Sequence, residues 1–138
     1  MKKIVNVLVI EDNRYCNNLI SKALLQSVLF TDRKGKYQLS LHSFIDPMEC
    51  IRKIKSGELT DNDIIAFVDY YMGNGITGTS IIDLLKKRCN DSMIVLLSPS
   101  KVVAEEHVFD NDGYFVIKDI FAPALCRLYL EQFIDNKF

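Results

Sequence analysis

The chain has 138 residues, of which 49% are apolar and 25% charged. That is one domain of ordinary globular composition, and it excludes disorder and collagen-like repetition. Lys and Arg number 17 against 18 Asp and Glu, so the excess of cation that phosphate-backbone binding calls for is missing and nucleic acid is not expected as a partner.

No apolar run reaches the roughly 18 to 20 residues of a membrane-spanning helix, which points to a cytoplasmic protein that does not engage a membrane. The N-terminal MKKIVNVLVIEDN has no small-residue cleavage site after its apolar run and reads as a buried strand, Ile4 to Ile10, rather than a signal peptide. From Asn13 onward Cys16, Leu19, Ile20, Ala23, Leu24 and Val28 recur at spacings of three and four, the stripe of an amphipathic helix. Thr31 to Lys36, TDRKGK, reads as a charged, solvated connection. Tyr37 to Phe44 alternates polar and apolar residues and suits a sheet edge. Asp46-Pro47 is a helix-start signal, a carboxylate cap followed by proline at the first helical position, and it leads into Met48, Ile51 and Ile54.

Three further apolar runs, Ile64 to Val68, Met93 to Leu97 and Tyr114 to Ile117, complete a set of five strands. Thr79 or Ser80 is expected to cap a third helix, with Ile81, Leu84, Leu85 and Cys89 facing inward. A short fourth helix is expected over Lys101 to Phe109, and a last one from about Pro123, carrying Leu125, Leu128, Tyr129 and Phe133. Its second stripe, Cys126, Leu130 and Ile134, reads as a broad core face, with self-association into a homodimer left open. Four cysteines, Cys16, Cys50, Cys89 and Cys126, occur singly and away from His42 and His107, as expected of reduced thiols rather than a disulfide frame or a Cys/His metal site.

Strict alternation of strand and helix predicts an α/β sandwich with a parallel sheet and right-handed crossovers. Of the common doubly wound orders, the flavodoxin-like 2-1-3-4-5 puts the alternating second strand at an edge. Ligands of such sheets bind beyond the carboxyl ends of the strands. Those ends carry Glu11 and Asp12 after strand one, Asp69 after strand three, Ser98 after strand four and Lys118 after strand five. Three carboxylates in one crevice repel and call for a cation. Magnesium, with its hard oxygen ligands, fits a site that has no thiolate or imidazole. Asp69, on the central strand, is placed to be a nucleophile toward phosphorus, with Lys118 and the Ser98 hydroxyl neutralising and hydrogen-bonding the phosphoryl oxygens.

With these residues in this order, the chain resembles the receiver domain of two-component response regulators. The acidic pair Glu11-Asp12 follows VNVLVI, Asp69 opens a D-x-x-M run to Met72, Ser98 follows MIVLL, and Lys118 follows GYFVI. The resemblance implies that Asp69 accepts a phosphoryl group from the phosphohistidine of a sensor histidine kinase or histidine phosphotransfer protein. It implies that Glu11, Asp12, Asp69 and the backbone carbonyl of Tyr71 hold Mg2+. It further implies a switch made of Ser98 and Phe115 that is read by a downstream protein target. The protein is then a phosphoacceptor and not an enzyme in the ordinary sense, with Mg2+-dependent self-phosphorylation and slow dephosphorylation. With the last helix closing near Phe138, a stand-alone receiver without an output domain is expected.

The sequence departs from the family where proline usually follows the lysine. Asp119 stands there, which predicts a trans peptide and a carboxylate able to compete for the Lys118 ammonium. Pro99 stiffens the chain beside Ser98, and Gly78 comes one position late. These departures motivate the alternative of a pseudo-receiver, a binding module that keeps the fold without switching. The run Gly73 to Gly78 satisfies GxGxxG, but Asp69 before it would repel a pyrophosphate, which disfavours dinucleotide binding. Tyr71 stands where aspartate-based phosphatases place their general acid, so ester hydrolysis is not expected.

Overall fold

Strands that are apolar on both faces need helices above and below the sheet, and the computed structural model of the protein has that arrangement. It describes residues 3–34, 37–59, 62–72, 76–89, 92–99 and 114–137. Among these, the elements are β1 (Lys3–Ile10), α1 (Arg14–Lys34), β2 (Tyr37–Phe44), α2 (Pro47–Ser56), β3 (Asp63–Asp69), α3 (Gly78–Arg88), β4 (Ser92–Ser98), β5 (Tyr114–Ile117) and α4 (Ala122–Lys137). The strands are all parallel in the order β2-β1-β3-β4-β5, the flavodoxin-like order expected from the sequence.

The alternation of β1 divides its side chains between two layers. Val5, Val7 and Val9 join Phe67, Val95 and Leu97 beneath α1 and α4, where Leu24, Cys126 and Leu130 meet them. Leu8 and Ile10 join Ile64, Ala66, Val68 and Leu96 on the other face, covered by Cys50 and Ile54 of α2 and Ile81 and Leu85 of α3. Register then aligns the strand ends: Ile10 lies between Phe44 and Val68, Asp69 opposite Leu97, and Ser98 opposite Ile117. All carboxyl ends therefore open on one edge of the sandwich.

The start of α2 is as expected, with Asp46 accepting a hydrogen bond from Met48 N at 3.0 Å and Pro47 in the first turn. It stops at Gly57, whose φ of +85° is the left-handed conformation that glycine adopts without strain. The charged stretch Thr31 to Lys34 is not a connection but the last turn of α1. Arg33 and Lys34 are good helix formers and no glycine or proline precedes Gly35. The cap of α3 is Thr77 rather than Thr79 or Ser80. The bridge between Tyr71 and Thr77, and the bond from Gly78 N to Tyr70 O, return the chain early and fix where that helix begins. The expected helix over Lys101 to Phe109 lies outside the described residues, as does the run Gly73 to Gly75.

The inner faces of α1 and α4 also differ from the expectation. Cys126, Leu130 and Phe133 are buried, while Leu125 and Leu128 are exposed, so the second stripe of the last helix is its core face. On α1, Leu19 is exposed and the polar Asn17 and Ser27 are buried. The two helices also meet through polar contacts that hydropathy does not register: Glu131 accepts from Ser27 Oγ at 3.0 Å, and Arg127, which bonds Glu131 along α4, donates through Nη1 to Gln26 Oε1. All four cysteines are free thiols, and burial pushes those of Cys50 and Cys126 up to about 12, out of reach of ordinary redox chemistry. Among the described residues no helix is long and apolar enough to cross a membrane.

The two α4 faces are separable in denaturation. Leu130→Ala, which opens a cavity between sheet and helices, is expected to cost about 2 to 5 kcal/mol. Leu128→Ala, on the exposed face, is expected to stay within about 0.5 kcal/mol of the parent in the same urea titration.

Candidate functional site

The pocket starts from strand pairing continued one residue past each strand end. Glu11 N donates to Phe44 O at 3.1 Å, Tyr70 N to Leu97 O at 2.8 Å and Lys118 N to Ser98 O at 2.8 Å. These bonds hold the acidic pair, Asp69, Ser98 and Lys118 at neighbouring strand ends. The first helix is capped by Asn13, whose Oδ1 accepts from Cys16 N at 3.0 Å. Asp12 is therefore not spent on that cap. Asn13 N in turn donates to Glu11 Oε1 at 3.0 Å, which aims the Glu11 side chain back over the sheet.

Glu11, Asp12 and Asp69 each offer a carboxylate oxygen within 4.8 Å of the others. Glu11 and Asp69 are buried, at 0% and 1% exposure, and Asp12 is half-buried. The Lys118 ammonium bridges the two buried acids, 3.0 Å from Glu11 Oε2 and 3.3 Å from Asp69 Oδ1. Burial opposes the charge on Lys118, but its hydrogen bond to Glu11 and the charges of both acids outweigh this and raise its pKa. Asp69 remains under-compensated. Burial and then the Glu11 charge push its carboxyl up to about 7 against the pull of Lys118. Its Oδ2 is buried and, among the described residues, accepts no hydrogen bond.

Among the described residues, one ammonium bridges the two buried acids and Asp69 Oδ2 accepts no hydrogen bond, a donor set that a hard divalent cation satisfies. Mg2+ fits: the ligands are oxygens, and no thiolate or imidazole belongs to the cluster. Ser98 is buried at the end of β4. Tyr71 follows in the loop after β3, its ring exposed and in a T-shaped contact with that of Tyr70. Phe115 is not among the pocket residues. It sits within β5 opposite Leu96 and packs on the layer that α2 and α3 cover.

Neither a family model nor a curated protein sequence matches the chain. Solved structures do. Response regulator DrrB of Thermotoga maritima, an OmpR/PhoB homolog, aligns with a TM-score of 0.71 at 14% identity, over 99% of this chain. The aligned chain spans 54% of that DrrB chain. Response regulator TrrA of Thermotoga maritima, in complex with Mg2+–BeF, aligns with a TM-score of 0.60 at 19% identity, over 98% of this chain and 97% of its own. A response regulator protein of Burkholderia pseudomallei, with a phosphorylated aspartic acid, calcium ion and citrate, aligns with a TM-score of 0.60 at 17% identity, over 95% and 74%. This chain has the fold of response regulator receiver domains.

Within that receiver fold, Asn17 was not singled out from the sequence, and the tasks of Gly78 and Asp119 become visible. Asn17, buried on α1, donates through Nδ2 to Glu11 O at 3.0 Å and Phe44 O at 3.1 Å. Its signal was present as a polar residue on an otherwise apolar helix face. Gly78 opens α3 against Asp69. A Cβ there would lie 2.6 Å from Asp69 O and 3.2 Å from Tyr70 Cα, so glycine is needed for the close approach. Gly78 thus has a backbone task, the close approach of α3 to the end of β3. Asp119, expected to compete for Lys118, instead accepts from Phe121 N at 2.9 Å and opens α4. The described peptide bonds are all trans, Lys118–Asp119 included.

A groove of 480 Å³ adjoins the pocket between α1 and the turn after β5, with Tyr15, Leu19, Ile120 and Pro123 in its walls and Lys118 shared with the pocket. Of these walls Ile120 and Tyr15 are 85% and 72% exposed, and the adjacent Phe121 is 64% exposed. The Asp119 turn is what presents Ile120 and Phe121.

The raised Asp69 pKa fixes the sign of a pH effect. Between the ordinary value of 3.8 and about 7 the unfolded chain has lost a proton that the folded chain retains, so stability contributed by this group falls as pH rises through that window. In EDTA, Asp69→Asn is expected to flatten this slope and to be more stable than the parent at pH 8 by a few kcal/mol, on the order of 1 to 3. Urea melts of both proteins at pH 4.5, 6 and 8 check it; a parent whose stability rises over that range relative to the variant contradicts the assignment.

Proposed function

We propose that the protein is a phosphoacceptor switch of a two-component phosphorelay, taking a phosphoryl group on Asp69 from a partner phosphohistidine. The observation that carries this reading is the under-compensated Asp69, buried between Glu11 and the Lys118 ammonium, whose Oδ2 accepts no hydrogen bond among the described residues. A merely structural carboxylate would be paired at both oxygens.

In the proposed reaction an Asp69 oxygen attacks phosphorus. The O–P bond forms as the P–N bond to the donor imidazole breaks, and its electron pair stays on the imidazole nitrogen, which takes up a proton. Asp69 must react as the carboxylate, and Lys118 favours that form. Lys118 keeps its own proton and offsets the arriving phosphoryl charge, while Ser98 donates its hydroxyl to a phosphoryl oxygen. Mg2+, when bound, supplies Lewis-acid neutralisation of the phosphoryl oxygens, and Glu11, Asp12, Asp69 and the Tyr71 carbonyl are the groups proposed to hold it. The added charge is then read through Ser98 and Phe115 by a downstream protein target. The ground for the inert pseudo-receiver alternative is narrowed, because the Asp119 carboxylate is engaged at the start of α4 rather than on Lys118.

A macromolecular donor accounts for the rim. Asp69 is buried and pairs with Lys118, which also lines the groove, so a protein docked on this groove would cover Tyr15 and Ile120, with Phe121 beside them, largely apolar groups that a small donor would leave in water. This supports the sensor histidine kinase or histidine phosphotransfer protein as partner.

The chemistry is tested by intact-mass measurement after incubation with Mg2+ and acetyl phosphate. A gain of one phosphoryl group is expected, absent in Asp69→Asn and in EDTA; no gain under varied donors favours the inert module. The rim is tested separately. Ile120→Ser with Phe121→Ser is expected to slow transfer from a phosphorylated histidine phosphotransfer protein by about tenfold or more, and to leave the acetyl phosphate rate within about twofold. Equal loss with both donors would place these residues in the pocket's chemistry instead.

A further inference from the structure

Asn17 is nearly fully buried, although the positions that follow it on the inner face of α1, Ile20, Leu24 and Val28, are apolar. A buried primary amide is costly unless its donors and acceptor are all used, and here they are. Nδ2 donates to Glu11 O and Phe44 O, at 3.0 and 3.1 Å. Oδ1 accepts from Ser21 Oγ at 3.0 Å and from Ser43 Oγ. The orientation of the amide is unambiguous, because two carbonyls can only accept.

Phe44 O accepts twice, from Asn17 Nδ2 and from Glu11 N, so one amide clamps the chain leaving β1 onto the end of β2. The carbonyl it grips belongs to the Glu11–Asp12 peptide. Holding that carbonyl sets the direction in which the next residue leaves, and with it the aim of the Asp12 carboxylate. The Glu11 carboxylate is held from its other side by Asn13 N. An apolar residue at this position would hold neither carbonyl.

We infer that Asn17 is a positioning residue for the divalent cation: its amide orients the Glu11–Asp12 peptide so that both carboxylates converge with Asp69. The inference rests on the proposed reading of the cluster as an Mg2+ site. Groups that orient metal ligands without touching the metal typically change affinity by about 10- to 100-fold when removed, and that is the size of effect expected.

Calorimetric titration of Mg2+ into the unphosphorylated protein tests it. Asn17→Ala is expected to weaken Mg2+ binding about tenfold or more. Its acetyl phosphate reaction is expected to recover toward the parent rate when Mg2+ is raised in proportion, a shift in the Mg2+ requirement that a purely structural role would not produce. Ser43→Ala removes one hydroxyl that orients the amide from an exposed strand position, and is expected to weaken Mg2+ binding about threefold while folding normally. A folded Asn17→Ala with parental Mg2+ affinity overturns the inference, as does a lost saturating rate with an unshifted Mg2+ requirement. If Asn17→Ala does not fold, parental affinity in Ser43→Ala overturns it. A parent protein that binds no Mg2+ overturns the reading of the site itself, a failure distinguished by appearing before any variant is compared.

Discussion

Charge imbalance around two buried carboxylates is the constraint on which the rest depends. Two carboxylates with essentially no exposure share one ammonium, and a third stands beside them. Such a group of like charges holds together only if the surrounding backbone fixes it. The paired strand ends, the Asn13 cap and the Asn17 clamp are that framework. Each spends a hydrogen bond on the orientation of the acidic pair or its neighbours rather than on the core. The core in turn can be ordinary, two apolar layers around a five-stranded parallel sheet, because the demanding electrostatics are confined to one edge.

How much of this was legible in the sequence varies with the physical signal. Buried parallel strands announce themselves by continuous apolar runs, so VNVLVI and IIAFV identify β1 and β3 without ambiguity, and the alternating YQLSLHSF marks the edge strand. Asp46-Pro47 marks α2 because cap chemistry is local. The residues at the strand ends follow from these, since topology brings carboxyl ends together whatever the loops do. Which helix stripe faces inward is a different kind of question. Two apolar stripes on α4 overlap, and the choice between Leu128 and Leu130 is made by how α4 meets α1, through Ser27, Arg127 and Glu131. No property of the α4 sequence alone contains that information. Asn17 escaped, and the task of Gly78 stayed open, for a related reason: Asn17 Nδ2 and Gly78 each meet backbone carbonyls, which have no residue type to read.

Asp119 illustrates how a departure from a family pattern is absorbed. A carboxylate directly after the pocket lysine looks like a competitor for it. In the fold, the same carboxylate meets the N–H of Phe121 two residues on, the ordinary behaviour of aspartate at a turn into a helix. Lys118 is left to Glu11 and Asp69, and the turn carries Ile120 and Phe121 outward instead of folding them over the pocket.

Gly78 carries a lesson for anyone who would transplant the acidic pocket into another doubly wound scaffold. With α3 pressed against the Asp69 carbonyl so closely that not even a methyl group fits between them, the Asp69 backbone is wedged in place by an element nine positions downstream. Copying only the carboxylates, the lysine and the serine would therefore import the charges without the wedge. The smallest portable unit is the whole segment from β3 to the first turn of α3.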